Sequence, residues 1–241
     1  MKPINEIING NNIDILYDID REFIDLIFTS PQYNFDIDYE STKDKIDYDL
    51  YLFKLFNVFQ SCFRVLKSDG RFVINIQPNY RERQFTHVDI VKILDQIGFK
   101  WFGEIIWRKQ NIKKVTAWGS WKSPSCPYIN NPYEYLFIFY KYHRKKQTKG
   151  VTDLTKEEFI EYVNGIWTIA PAKPTKELTC PAQFPEELAK RVIKLFTWKD
   201  DIVLDPFNGS GTTTYVANKL GRKYIGIDIS NKYCDEALNR L

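Results

Sequence analysis

The chain has 241 residues and a mass of 28.6 kDa, with 44% hydrophobic and 27% charged positions, enough to bury a full core in one domain. Its 34 basic and 31 acidic side chains leave a net charge of +3, too small to argue for a polyanionic partner by itself. No apolar run approaches the roughly 18 residues of a membrane span, Met1-Lys2-Pro3 leads into no signal-type apolar core, and the four cysteines form no CxxC pair for zinc or dithiol chemistry, so a reduced cytoplasmic protein is expected.

In chain order, Ile13-Asp14-Ile15-Leu16 alternates and is expected as a short strand. Ile24-Asp25-Leu26-Ile27-Phe28 follows, an apolar run of buried-strand length that stops at Thr29-Ser30-Pro31. From Tyr48 to Leu66 the positions Leu52, Phe56, Phe59, Phe63 and Leu66 recur at three- and four-residue steps, which predicts an amphipathic helix closed by Ser68-Asp69-Gly70. Arg71 to Ile76 reads as a strand and His87 to Ile97 as a helix. Trp101 to Trp107 and Tyr135 to Tyr140 read as strands, and Pro124, Pro127 and Pro132 break the stretch between them. Leu188, Val192, Leu195 and Phe196 predict a helix after Pro185. A strand at Ile202 to Leu204, a helix at Thr213 to Leu220, a strand at Tyr224 to Ile227 and a helix at Asn231 to Leu241 complete the chain. This alternation predicts an α/β fold, a parallel sheet covered on both faces, with ligands bound beyond the carboxyl ends of its strands.

Basic residues bunch in the middle of the chain, at Arg108, Lys109, Lys113 and Lys114 and again at Lys141, Arg144, Lys145, Lys146 and Lys149. Such runs are often plain solvated surface. Trp101, Trp107, Trp118, Trp121 and Trp167 lie in or near them, however, and cations interleaved with rings suit a nucleic-acid groove, where cations track phosphates and rings stack on bases.

Asp205-Pro206-Phe207-Asn208-Gly209-Ser210-Gly211-Thr212-Thr213 joins a strand to a helix. Its glycines allow close backbone approach to a ligand, and the helix start offers free N–H donors. The loop lacks the lysine of a phosphate loop and the third glycine of the dinucleotide fingerprint. What remains is a pair of acids at successive strand tips, Asp205 and Asp228. An acid at the second tip is placed to accept from ribose hydroxyls, and the first could take an ammonium group. A ligand with ribose and ammonium but no phosphate is S-adenosylmethionine. An ordinary glycine-rich turn, with Asp228 as a helix cap, is the bland alternative.

Thr29-Ser30-Pro31-Gln32-Tyr33-Asn34 alone would pass for a common turn. Together with the glycine loop it resembles the catalytic motif, commonly TSPPYN, of the DNA amino-methyltransferases. Asp205 to Thr213 resembles that family's DPFxGSGTT cofactor loop, and Cys180-Pro181-Ala182-Gln183-Phe184-Pro185 its HPAxFP segment. The catalytic motif precedes the cofactor motif, the permuted order of the β group. The resemblance implies a Rossmann-like, mostly parallel seven-stranded methyltransferase sheet with helices on both faces and a small inserted target-recognition region. The expected division is 1–108 for the catalytic half, 109–170 for target recognition and 171–241 for the cofactor half, with Ile13 to Leu16 serving as the sheet's third strand.

The resemblance also implies roles. A base is flipped out of double-stranded DNA, and Tyr33 stacks on it. Ser30 Oγ and the Pro31 carbonyl accept from its exocyclic amine, and the methyl passes directly from S-adenosylmethionine. Asp205, Phe207, Gly209, Ser210, Gly211, Thr212, Asp228 and Phe184 hold the cofactor, while Asn34, Trp118, Lys113, Lys114 and Arg144 face the DNA. No metal is expected. Serine before the proline is more often associated with N4-cytosine and aspartate with N6-adenine, so cytosine is the expected base. Two positions depart from the family pattern: Gln32 stands where a second proline is usual, and Cys180 where histidine is. A cognate restriction endonuclease and a second copy of the chain are further candidate partners. RNA or protein-amide methylation, a catalytically silent DNA-binding module and a nicotinamide dehydrogenase stay open as alternatives.

Overall fold

The computed structural model describes residues 2–34, 38–39, 42–43, 45–78, 85–110, 119–173, 179–181 and 183–241. Among the described residues, eight strands form one sheet: β1 (Glu6–Asn9), β2 (Ile24–Thr29), β5 (Leu66–Ile76), β6 (Lys100–Lys109), β7 (Tyr133–Tyr140), β8 (Ile166–Ile169), β9 (Ile202–Asp205) and β10 (Lys223–Asp228), while β3 (Asp38–Tyr39) and β4 (Thr42–Lys43) pair separately. The spatial order is β1-β10-β9-β2-β5-β7-β6-β8. Of these eight, only β7 runs against its neighbours; the others are parallel.

Seven helices among the described residues cover the sheet: α1 (Asn12–Asp18), α2 (Tyr48–Val65), α3 (Thr86–Ile97), α4 (Lys156–Tyr162), α5 (Glu186–Phe196), α6 (Thr212–Lys219) and α7 (Asn231–Leu238). β2 is buried along its whole length because both its faces are covered. Ile27 joins the core beneath α1, α2 and α3, whereas Leu26 and Phe28 join a second core beneath α4, α5 and α6.

Several expectations need correction. Ile13 to Leu16 is not a strand but the body of α1. The Asn11 side chain accepts from Ile13 N and caps the helix, and Leu16 is fully buried against α2's core. The edge strand is Glu6–Asn9, paired in parallel with β10 from Glu6 opposite Ile225 to Asn9 opposite Asp228. Helix α2 buries Tyr51, Leu55, Val58, Phe59, Cys62 and Val65, a stripe centred one position earlier than the expected one; Leu52, Phe56 and Phe63 flank it. It passes straight into β5, and Ser68-Asp69-Gly70 is a bulge inside that strand rather than a closing turn: Ile24 faces Leu66, but Leu26 already faces Arg71. The segment expected as an insert contributes β7 and the eighth strand, β8, to the sheet.

This topology sets the ends of β9, β10, β1, β2, β5 and β6 along one edge, where β7 begins. The chain leaves β9 and β2 in opposite directions across the sheet, and the crevice between them is the switch point where ligands bind. Because β7 runs antiparallel, its end at Tyr140 lies opposite Arg71, away from that edge.

Candidate active site at the carboxyl edge of the sheet

A cavity of about 380 Å³ opens at the switch point. Ser30, Pro31 and Tyr33 line it from the β2 end, and Asp205, Phe207, Gly209, Ser210 and Thr212 from the loop after β9. Asp228 lines it at the tip of β10, and Phe184 from the segment before α5. Two motifs separated by about 175 positions in sequence thus share one chamber.

Asp205 is 2% exposed. Its Oδ1 accepts from Thr29 Oγ1 at 2.7 Å and from Phe207 N at 3.0 Å, and its Oδ2 from Thr213 Oγ1 at 2.7 Å. Burial pushes the carboxyl up to about 6 against the opposing pull of these donors. With both oxygens engaged inside the protein, Asp205 fixes the loop's shape and ties it to β2. Asp228 is half-buried; its two oxygens accept from Gly209 N at 2.8 Å and Ser230 N at 2.9 Å, and desolvation raises its pKa. Gly209 (φ +49°) turns the loop there, and a Cβ on it would stand 2.9 Å from Cys180 Sγ. Gly211 does not line the cavity; at φ +81° it starts α6, with Ala237 close beneath it.

Among the described residues, the buried Ser210 Oγ and Asn208 Nδ2 have no hydrogen-bond partner. Both residues line the cavity. Buried polar atoms of this kind are costly unless something satisfies them. Together with Asp228 they suit a ligand carrying polar groups at both ends, as S-adenosylmethionine does. Phe184 closes the wall, its ring 4.9 Å from that of Phe28. Cys180, at the position where the resemblance expects histidine, is pushed up to about 12 by burial and stays a neutral thiol beside Gly209.

At the β2 side, Ser30 Oγ lies 2.8 Å from Tyr33 Oη. Tyr33 is 8% exposed rather than the exposed aromatic expected. Its hydroxyl donates to Glu134 Oε2 at 3.1 Å and receives Asn75 Nδ2 at 3.1 Å, and Glu134 Oε1 pairs with Lys109 Nζ at 2.5 Å. The Gln32 carbonyl accepts from Tyr51 Oη at 2.8 Å, so a tyrosine of α2 steadies the turn where a second proline is absent. The Asn34 amide spans the backbone of Ile46, accepting from its N–H and donating to its carbonyl, and staples the loop rather than lining the cavity. Sequence reasoning missed Asn75, Glu134, Lys109 and Tyr51 in these roles. The available signal was a polar residue interrupting an apolar strand, as in Ile74-Asn75-Ile76 and Tyr133-Glu134-Tyr135.

The basic residues divide. Arg144 lies at the far end of the sheet, its guanidinium 4.6 Å from the Phe102 ring centre and donating to the Phe102 carbonyl. Lys141 and Lys146 are likewise bound there, to the Leu66 carbonyl and Glu22 and to Asp201. Trp107 and Trp167 are core residues, each indole N–H bonded to a backbone carbonyl. Lys113, Lys114 and Trp118 lie outside the described residues. On the cavity edge, the loop between β6 and β7 exposes Trp121, Tyr128 and Ile129, with Lys122 Nζ 5.7 Å from the Trp121 ring centre.

The family model described as DNA methylase, for the N6/N4 group, matches residues 24–239. Type II methyltransferase M.MjaVI of Methanocaldococcus jannaschii is 43% identical over 183 residues, 75% of this chain and 94% of that protein. DNA adenine methyltransferase YhdJ of Escherichia coli is 29% identical over 98% of this chain and 82% of its own length. Among solved structures, the DNA modification methylase TTHA0409 of Thermus thermophilus, complexed with S-adenosyl-L-methionine, aligns with a TM-score of 0.77 at 27% identity, over 98% of this chain and 92% of that one. A switch-point cavity that unites a Ser-Pro-x-Tyr turn with a glycine loop is thus found in a chain whose match to the family runs almost from end to end, and the chain belongs to the DNA amino-methyltransferases of the N4-cytosine/N6-adenine group.

Proposed function

We propose that this chain methylates the N4 nitrogen of a cytosine flipped out of double-stranded DNA, with S-adenosylmethionine as donor. The observation that carries the reading is the shared cavity: the acceptor turn and the cofactor loop line the same chamber. Ser30 Oγ and the Pro31 carbonyl accept from the exocyclic amine, drawing its lone pair out of ring conjugation and aiming it into the chamber. The Tyr33 ring walls the base. Asp228 takes the ribose, Ser210 and Asn208 the remaining polar groups, and Phe184 and Phe207 the apolar parts. When bound, the cofactor supplies an electrophilic methyl group. The protein's contribution is alignment and hydrogen bonding.

The exposed loop between β6 and β7, at the cavity edge, is the surface proposed to meet DNA. Cytosine is favoured by Ser30, which stands where the resemblance associates serine with N4 chemistry. The likeness to YhdJ favours N6-adenine as the second reading. The Type II name carried by M.MjaVI supports a cognate restriction endonuclease as functional partner.

Nucleoside mass spectrometry of duplex DNA incubated with the protein and methyl-labelled cofactor tests this. N4-methylcytosine is the expected product. N6-methyladenine would change the base and keep the chemistry, and labelled RNA or protein with unlabelled DNA would overturn the reading.

A further inference from the structure

The chain of hydrogen bonds behind Ser30 has a direction. Glu134 pairs with the Lys109 ammonium and, as a carboxylate, can only accept. Asn75 Nδ2 donates to it and to Tyr33 Oη. Tyr33 has one proton, and its two acceptors other than Ser30 are Glu134 Oε2 at 3.1 Å and the Asn75 carbonyl at 3.4 Å. Either choice sends that proton away from Ser30. The 2.8 Å contact between the two hydroxyls is then made by Ser30 donating to Tyr33, which leaves Ser30 Oγ facing the cavity with lone pairs alone. A serine is ordinarily ambivalent, donor or acceptor by rotation. Here the buried carboxylate, 6% exposed and two hydrogen bonds away, removes that freedom.

We propose that Glu134 is a positioning residue that makes Ser30 a one-way acceptor for an NH2 group and receives the proton this group sheds. The inference rests on the amino-methyltransfer reading above. The nitrogen's electron pair forms the new N–C bond while the S–C pair stays with sulfur, so the nitrogen carries a positive charge until one N–H pair returns to it. The released proton passes to Ser30 Oγ, Ser30's own proton to Tyr33 Oη, and Tyr33's to Glu134 Oε2, which becomes a neutral acid and later returns the proton to water. Each heavy-atom step within the protein is a hydrogen bond already present.

The same polarity makes a specificity filter. A base presenting a carbonyl at that position would set acceptor against acceptor. Replacing Glu134 by glutamine supplies an amide donor able to reverse the chain, and Tyr33→Phe removes the group that holds the Ser30 proton. The test measures equilibrium affinity for duplexes bearing the mapped target site, with the target cytosine either intact or replaced by uracil; for an adenine target, hypoxanthine takes that place. The wild type is expected to prefer the amine by about tenfold or more, the cost of an unpaired buried acceptor. Glu134→Gln and Tyr33→Phe should each bring the preference close to one while cofactor affinity stays unchanged. Single-turnover methylation by Glu134→Gln should fall about a hundredfold, the lower end of general acid–base effects.

Retention of the wild-type preference in both variants would overturn the proposal. So would an equal loss of cofactor affinity and rate, which would make Glu134 a structural residue only. If the wild type leaves no methyl group on DNA, the parent reading fails first, and that result is seen before either variant is made.

Discussion

Ser30 and Asp228 divide the work between the two ends of one cavity, and their substitutions should separate binding from chemistry. Ser30→Ala removes an acceptor aimed at the reacting amine. Single-turnover rate should drop about a hundredfold, as when one preorganised catalytic hydrogen bond is lost, while calorimetric affinity for the cofactor stays the same. Asp228→Ala should do the reverse. It deletes a charged acceptor at the cavity wall and the brace on Gly209 N, and cofactor affinity should weaken by about 1.5–3 kcal/mol with DNA affinity kept. Single residues were unevenly legible in the sequence. Ser30, Asp205 and Asp228 stand in short linear motifs at strand tips, so their neighbourhood could be read directly. Glu134 and Asn75 could not, because they reach Ser30 only through the pairing of β5 with β7, a contact made across 59 positions of chain.

At the scale of elements, the strands with buried apolar runs and the helices with clear spacing were readable: β2, β5, β9, β10, α3, α5 and α6 lie where periodicity put them. The errors have physical causes. β1 is an edge strand with only its middle half-buried, so it carries no apolar signature. Ile13-Asp14-Ile15-Leu16 fits both a two-residue and a helical period, and the Asn11 cap decides for the helix. Helix α4 went unpredicted although Thr155 and Glu158 form a capping box, a signal present in the sequence. The start of α6 is a stricter test of local geometry. Gly211 sits at φ +81°, and an added Cβ would stand 2.7 Å from Ala237 Cβ. Gly211→Ala should therefore cost about 2 kcal/mol or more in urea unfolding, from backbone strain and displacement of α7.

For the whole molecule, the sheet separates two kinds of positive charge that a linear reading merges. The cations after β7 are spent on aromatic faces, carbonyls and acids at the far end, whereas Lys109 and Lys122 belong to the cavity edge. Global stability should also carry the signature of the buried loop acid. Asp205 has its folded pKa raised from 3.8 to about 6, so its contribution to stability is fully present below about pH 4 and is lost as pH rises through about 6. A displacement of that size corresponds to about 3 kcal/mol. Unfolding free energies measured by urea titration between pH 4 and 7 should fall by that order for the wild type. In Asp205→Asn the fall should be smaller, the remainder coming from Asp25 and Asp228, which shift in the same direction.

The central claim is that acceptor turn and cofactor loop form one continuous chamber, and a single ligand can measure that continuity. A bisubstrate compound, with the adenosyl half of the cofactor joined from its sulfur position to N4 of cytosine, should bind far more tightly than the demethylated cofactor alone, because the second contact becomes intramolecular. Ser30→Ala and Asp228→Ala should each weaken it. Binding no tighter than the demethylated cofactor, and indifferent to Ser30→Ala, would contradict the account.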